Sequence, residues 1–243
     1  EAFHPASEEI LNQNLIAIND FSKELKRIGE IVKKSNMRID FHPDQFNVVN
    51  SIKENVVKDT LRNLNHAVDL YDLMDYDDGK LVIHVGSSAG GKGDSINRFI
   101  DNFNEFPKRI RKRLILENDD KIFTAKDVLF ICEKIKIPMV LDVHHHNCKN
   151  DGENLSDLMK NIFDTWSCEN LPPKIHFSSP KEGKLDRKHA DYIDVNEFAK
   201  FINESDCEEV CGKSEVLEKL EDKIKLKRFR KVNIFKLSNI NKL

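Results

Sequence analysis

The sequence predicts an α/β fold of the TIM-type (β/α) barrel class. Short apolar runs alternate with stretches of helical period along the whole chain, which argues parallel strands joined by helices. Several of those runs stop at a histidine or an acid, and the length of 243 residues suits one barrel domain. The run Ile137-Pro-Met-Val-Leu-Asp142-Val-His144-His145-His146 shows the pattern most sharply: a buried strand ending in an acid and three histidines. In such barrels the chemistry gathers at the face built by the loops that lead from strands into helices.

The elements follow in order. Glu1 to Ser7 reads as a loop entering a helix near Ser7, with Glu8 and Glu9 in the first turn, where acids complement the helix dipole. Leu15, Ile18, Leu25, Ile28 and Ile31 recur at helical spacing, as one long helix or two in series. Met37 to His42 is the first strand, and Val56, Leu61, Leu64, Val68 and Leu70 mark a helix that ends by Gly79. The strand from Leu81 precedes the glycine-rich loop Gly86 to Gly93 and a helix through Phe99 and Phe103.

Leu114 to Glu117 is the next strand, and Thr124 with Asp127 makes a capping-box start for a helix through Ile135. After the strand ending at Asp142 come a helix from about Leu155 to Phe163 and the strand Lys174 to Phe177. A basic loop then leads to a helix from Val195 to Ile202, a short strand at Cys207 to Cys211, and a charged helix from Ser214. This makes six strands where a closed barrel has eight, so the expectation is that the first two are missing from this sequence. Residues 1–212 form the barrel domain in this reading, and 213–243 a C-terminal helix and basic tail.

Composition narrows the class. No uninterrupted apolar run is long enough to span a bilayer, and no secretion signal opens the chain, so a soluble, cytoplasmic protein is expected. Its five cysteines include no Cys-x-x-Cys pair, which fits reduced thiols. The net charge of -3 argues against a surface that is basic throughout. Beyond Asp222, however, the chain carries lysine and arginine and no acid, as a solvated helix end or a phosphate-contacting arm.

His42, His84, Glu117, Asp142 and His176 all sit at strand ends. Any one of them alone reads as a hydrogen-bonded structural residue or a helix cap. Five at equivalent positions read as a metal site, and mixed imidazole and carboxylate donors suit Mn, Zn or Fe. Glu117 and Asp142 can each bridge two ions, which enzymes acting at phosphorus hold about 3.5–4 Å apart. Gly86-Ser-Ser-Ala-Gly-Gly-Lys92-Gly93 is one residue short of a nucleotide-binding loop, since Gly93 stands where the magnesium-holding Ser or Thr belongs. No nucleotide cofactor is expected, and Lys92 is a phosphate-contact candidate.

Several motifs in order resemble the UV damage endonuclease family: Phe41-His-Pro-Asp-Gln-Phe46 with Val49-Asn50-Ser51, Leu116 to Lys121, Asp142 to His146, Thr165-Trp166, Lys174 to Pro180, and His189 to Tyr192. The resemblance implies a xylose-isomerase-like barrel acting as a monomer on damaged double-stranded DNA. It would nick the backbone 5′ of UV photoproducts and abasic sites, leaving a 3′-hydroxyl and a 5′-phosphate. It implies two or three divalent ions, manganese first and Mg2+, Zn2+ or Co2+ as alternatives. The ligands it implies are His42, His84, Glu117, Asp142, His145, His176, His189 and Glu209.

Glu208 competes with Glu209, because Cys211 stands where the family has a lysine. Lys174 matches a lysine that approaches the metals; the alternative is a surface residue at a strand edge. Gln45 and Phe46 resemble a probe that enters the damaged duplex; alternatively Phe46 is core and Gln45 a loop cap. Lys92, Lys181, Arg187 and Lys188 are candidates for phosphate contacts. An early histidine of the family has no clean counterpart, although His4 lies nearby. Other readings of the same barrel are an abasic-site endonuclease, a sugar isomerase, or an inactive DNA-binding remnant.

Overall fold

A computed structural model of the chain describes residues 21–204 and 232–235. The helix entry at Ser7, His4, the strand at Cys207 to Cys211 with Glu208 and Glu209, and the helix from Ser214 lie outside the described residues. The chain divides into two units, Glu1–Leu114 and Ile115–Leu243.

In the first unit, helix α1 (Ser22–Lys34) has Lys33 and Lys34 in its last turn, where cations face the helix carbonyls. It packs on helix α2 (Glu54–Leu73) so closely that a Cβ on Gly29 would lie 1.8 Å from the Met74 carbonyl oxygen. Strands β1 (Asp40–Phe41) and β2 (Lys80–His84) pair in parallel, with Asp40 opposite Lys80. Helix α2 buries Thr60, Leu64, Ala67, Val68 and Tyr71, one stripe at helical spacing. Helix α3 (Lys92–Glu105) does the same with Ser95, Phe99 and Phe103, and a one-turn helix, α4 (Lys108–Arg111), follows Pro107. Arg113, only 1% exposed, donates to the carbonyls of Tyr76, Asp77 and Gly79 and to Asp72. The buried guanidinium is tolerated because both of its terminal nitrogens are bonded, its Nε alone being left without a hydrogen-bond partner.

In the second unit, strand β3 (Leu114–Glu117) runs parallel to β4 (Met139–Asp142), which runs parallel to β5 (Lys174–Phe177). The Thr124–Asp127 capping box forms as the sequence implies and starts helix α5 (Ala125–Ile135), which ends at left-handed Lys136. Helices α7 (Leu155–Asp164) and α8 (Val195–Glu204) fall where the sequence puts them. The start of β4 is fastened by Thr165 and Trp166: the Met139 amide donates to Thr165 Oγ1 at 2.9 Å, and Trp166 Nε1 donates to the Met139 carbonyl at 2.7 Å.

Two features depart from expectation. Asp142 accepts a hydrogen bond from the His145 amide and thereby starts a short helix, α6 (Val143–Cys148), directly at the strand end. Strand β6 (Val232–Phe235) pairs antiparallel with β5, whereas strict alternation of strand and helix implied parallel pairing. Among the described residues, no helix is long and apolar enough to cross a membrane.

Candidate metal centre

Register builds the core of the site in the second unit. Asp142 lies opposite His176 across the parallel β4–β5 pair, and Glu117 lies opposite Val140, two residues before Asp142 and on the same strand face. An oxygen of Glu117, an oxygen of Asp142 and a ring nitrogen of His176 accordingly lie within 4.8 Å of one another. Both carboxylates are 0% exposed and His176 is 4% exposed, with its Nδ1 2.5 Å from Glu117 Oε1. Two carboxylates removed from water together cost several kcal/mol each unless positive charge compensates them. A divalent cation would supply that charge, and two oxygen donors with one imidazole form a donor set that suits transition ions. The residues present fit a metal.

Asn118 frames this triad. Its side-chain amide donates to the Asp142 carbonyl at 3.0 Å and accepts from the Asp142 amide at 2.8 Å, while its own carbonyl lies 2.8 Å from His145 Nδ1. Because the three consecutive histidines stand on one helical turn, they point in three directions. His145 turns toward Asn118 and Asp142. The buried His144 ring lies 4.9 Å from the His189 ring and has its Nε2 3.8 Å from Cys148 Sγ. His146 turns away, and burial pushes its pKa below the usual histidine value, against the opposing pull of Glu153.

His189 is held through Nδ1 by the Ser178 hydroxyl at 2.7 Å, and its ring lies 6.2 Å from that of His145. Burial, with Asp120 nearby, raises the Cys148 thiol pKa. Ser178, His146 and Phe177 also line a cavity of about 460 Å³ between α6, α7 and α8. Lys174 is buried, at 6% exposure, and points to the same strand face as His176. The alternative of an exposed strand-edge lysine is thus excluded.

In the first unit, His42 and His84 come together with ring centroids 5.4 Å apart. His42 is exposed just past β1, its Nδ1 3.1 Å from the Pro43 carbonyl, and half-buried His84 ends β2. Gln45 is exposed and Phe46 is 69% exposed, so Phe46 is not core. Lys92 opens α3 and is half-buried. Lys181, Arg187 and Lys188 are exposed in the second unit, where Arg187 pairs with Asp120 at 3.4 Å. Three amides of the glycine-rich loop are already taken: Ser87 N donates to Asn50, Gly91 N to the Ser88 carbonyl and Ala89 N to Ser87 Oγ. A phosphate cradle needs such amides pointing outward.

Sequence reasoning did not single out Asn118, Ser178 or His144 for a role. Each is one polar residue whose partner is set by the fold, and no local periodicity marks it.

A family model described as UV-endonuclease UvdE matches residues 10–241. This chain belongs to the UvdE family. The UV DNA damage endonuclease of Bacillus pumilus (strain SAFR-032) is 39% identical over 181 residues, covering 74% of this chain and 57% of that protein. The one from Bacillus thuringiensis subsp. konkukian (strain 97-27) is 39% identical over 187 residues, covering 76% and 59%. The chain thus spans less than two thirds of the length of these UvdE relatives.

The crystal structure of SacUVDE superposes with a TM-score of 0.73 at 37% identity, over 84% of this chain and 73% of that one. A D-tagatose 3-epimerase-like protein matches at a TM-score of 0.53 and 15% identity, over 82% and 83% of the two chains, a likeness of fold alone. The same holds for endonuclease IV from Thermus thermophilus, at 0.50 and 14%, over 70% and 64%. The UvdE fold seen here is therefore of the TIM-type (β/α) barrel class. Of the motifs that resemble this family, Thr165-Trp166 turns out to fasten a strand rather than to face the site.

Proposed function

We propose that this chain is a metal-dependent DNA repair endonuclease. It hydrolyses the phosphodiester 5′ of UV photoproducts and abasic sites, leaving a 3′-hydroxyl and a 5′-phosphate. The observation that carries the reading is the buried group of Glu117, Asp142 and His176, in a chain that belongs to the UvdE family. His42, His84, His145, His189 and Glu209 complete the ligand set in this reading, and manganese is the first-choice ion.

Bound divalent ions supply positive charge for a displacement at phosphorus. The chain's own residues do the rest. Glu117 and Asp142 fix the position of that charge, since both are fully buried and Asp142 is bracketed by Asn118. Ser178 and Asn118 orient His189 and His145, the kind of outer support that holds ligand rings in place. Lys174 adds a buried basic group to the face that carries His176, where it stabilises negative charge on the phosphate. Water adds to phosphorus, the bond to the 3′-oxygen breaks, and the departing oxygen takes up a proton.

Exposed Lys181, Arg187 and Lys188, with Lys92, contact phosphates and make affinity salt-dependent. Exposed Phe46 and Gln45 enter the duplex where damage has weakened stacking, so that a ring replaces lost base contact.

The test is nicking of supercoiled plasmid, irradiated or not, with manganese or with chelator. Nicking confined to irradiated plasmid with manganese supports the reading. Equal nicking of undamaged plasmid, or nicking that survives chelation, defeats it.

A further inference from the structure

Asn50 takes no part in the chemistry described above, yet it is fully buried and ties together the loops that leave β1 and β2. Its side-chain amide donates to the Ser87 carbonyl at 2.7 Å and accepts from the Ser87 amide at 2.8 Å. That reciprocal pair fixes which end of the amide is oxygen. The amide also donates to the Ser95 carbonyl at 3.3 Å, at the start of α3. Gly86 lets the second loop approach: its φ is +107°, and a Cβ there would lie 2.8 Å from Asn50 Oδ1.

Arg98 braces the same point. Its Nε donates to the Asn50 carbonyl at 3.1 Å, and its guanidinium donates to Ser95 Oγ at 2.9 Å and to the Ala89 carbonyl. Asn102 donates to the Val49 carbonyl at 2.7 Å, and the Val48 amide donates to Thr60 Oγ1 at 2.9 Å. The base of the first loop is therefore held by side chains of α2 and α3 and by the second loop. On that base stands a closed turn, in which Asp44 Oδ1 accepts from the Phe46 amide at 2.8 Å and Asn47 donates to the Asp44 carbonyl at 3.1 Å. The turn ends in a ring that is 69% exposed.

We propose that Asn50, braced by Arg98, is a positioning residue that presents Phe46 to damaged duplex DNA. This rests on the reading of Phe46 given above. A ring presented by an unfastened loop loses affinity to the entropy of ordering that loop, whereas a pre-set ring avoids that loss. The bracket also accounts for the glycine-rich loop, which the sequence offers as a near-match to a nucleotide cradle. Three of its amides are taken by Asn50, the Ser87 hydroxyl and the Ser88 carbonyl.

Asn50→Asp keeps the size of the side chain but sets a carboxylate oxygen against the carbonyls of Ser87 and Ser95. Two readouts apply to the 243-residue chain: amide hydrogen exchange, and affinity for a duplex with one abasic-site analogue relative to intact duplex. The expected result is faster exchange at both the Ser87 and the Phe46 amides, with the preference for the damaged duplex falling about tenfold, the scale of one broken buried polar pair. In a Phe46→Ala background the same substitution should cost no further preference. Wild-type exchange at residues 44–47 in the variant, or an undiminished loss in the Phe46→Ala background, overturns the proposal. If Asn50→Asp fails to fold, Arg98→Lys is read by the same two criteria. A Phe46→Ala chain that keeps full preference for damage defeats the reading of Phe46 instead, while exchange still decides whether the bracket sets the loop.

Discussion

The two units present their strand-end residues in opposite ways. In the first, His42 is exposed and His84 half-buried, and the loop between β1 and α2 carries a phenylalanine into solvent. In the second, Glu117, Asp142 and His176 are shut away from water and held in strand register. On the proposed function, the difference separates two tasks. Charge that must grip a cation gains from a dry site, because attraction strengthens as the local dielectric falls. Side chains that must meet a large, variable partner have to reach into solvent, and their precision comes from fastening the loop beneath them.

One device serves both tasks. Asn118 brackets Asp142 and Asn50 brackets Ser87, each through a reciprocal pair of hydrogen bonds between a side-chain amide and the backbone of the next strand-end loop.

The comparison breaks most readily at Glu117. Replacing it by Gln should lower nicking of irradiated plasmid by about a thousandfold or more, since several kcal/mol of charge stabilisation go with it. Binding to the damaged duplex should stay measurable, and undiminished cleavage would remove Glu117 from the mechanism. Arg113 tests the frame of the first unit. Arg113→Ala leaves the carbonyls of Tyr76, Asp77 and Gly79 without that donor, while Asp72 keeps Arg109, and should cost about 3 kcal/mol in urea unfolding; a loss below about 1 kcal/mol would show that the buried guanidinium is dispensable.

Metal removal sharpens the contrast next. Manganese at a hundred times its dissociation constant should stabilise the wild-type chain by about 2.7 kcal/mol in thermal unfolding. Asp142→Asn should abolish that gain, and retention of it would place the ion elsewhere. Ser178→Ala removes the hydroxyl that orients His189 and should weaken manganese binding by about 10- to 100-fold, read by titration. Unchanged affinity would leave Ser178 a wall residue only. Phe46→Ala should leave unfolding unaltered, because the ring is largely in water, and should weaken damaged-duplex binding by about 1–3 kcal/mol.

How much was legible beforehand depended on whether a residue's role is local. Asp142 and His176 announce themselves in sequence as candidates because a short apolar run fixes the strand, and its end fixes where the proposed ligand stands. The capping box of Thr124 and Asp127 is likewise a local signal, and it forms as written. By contrast, Asn50 and Asn118 are lone polar residues whose partners lie 37 and 24 positions away. Only the fold brings them together.

Helix α6 was hidden because His-His-His has little helical propensity; the Asp142 cap at the strand end starts it. Strand β6 was hidden inside a basic stretch, where a four-residue apolar-leaning run, Val232 to Phe235, gives too short a pattern to stand out. Lys174 read equally well as a surface lysine, because a single residue of a four-residue strand carries no mark of which neighbours will cover it.

The most direct measurement of the central claim is anomalous scattering from crystals of this chain soaked in manganese. The account predicts a peak about 2.0–2.2 Å from carboxylate oxygens of Glu117 and Asp142 and from a ring nitrogen of His176. Peaks confined to other parts of the molecule, or none at all where wild-type crystals nick soaked damaged DNA, would contradict it.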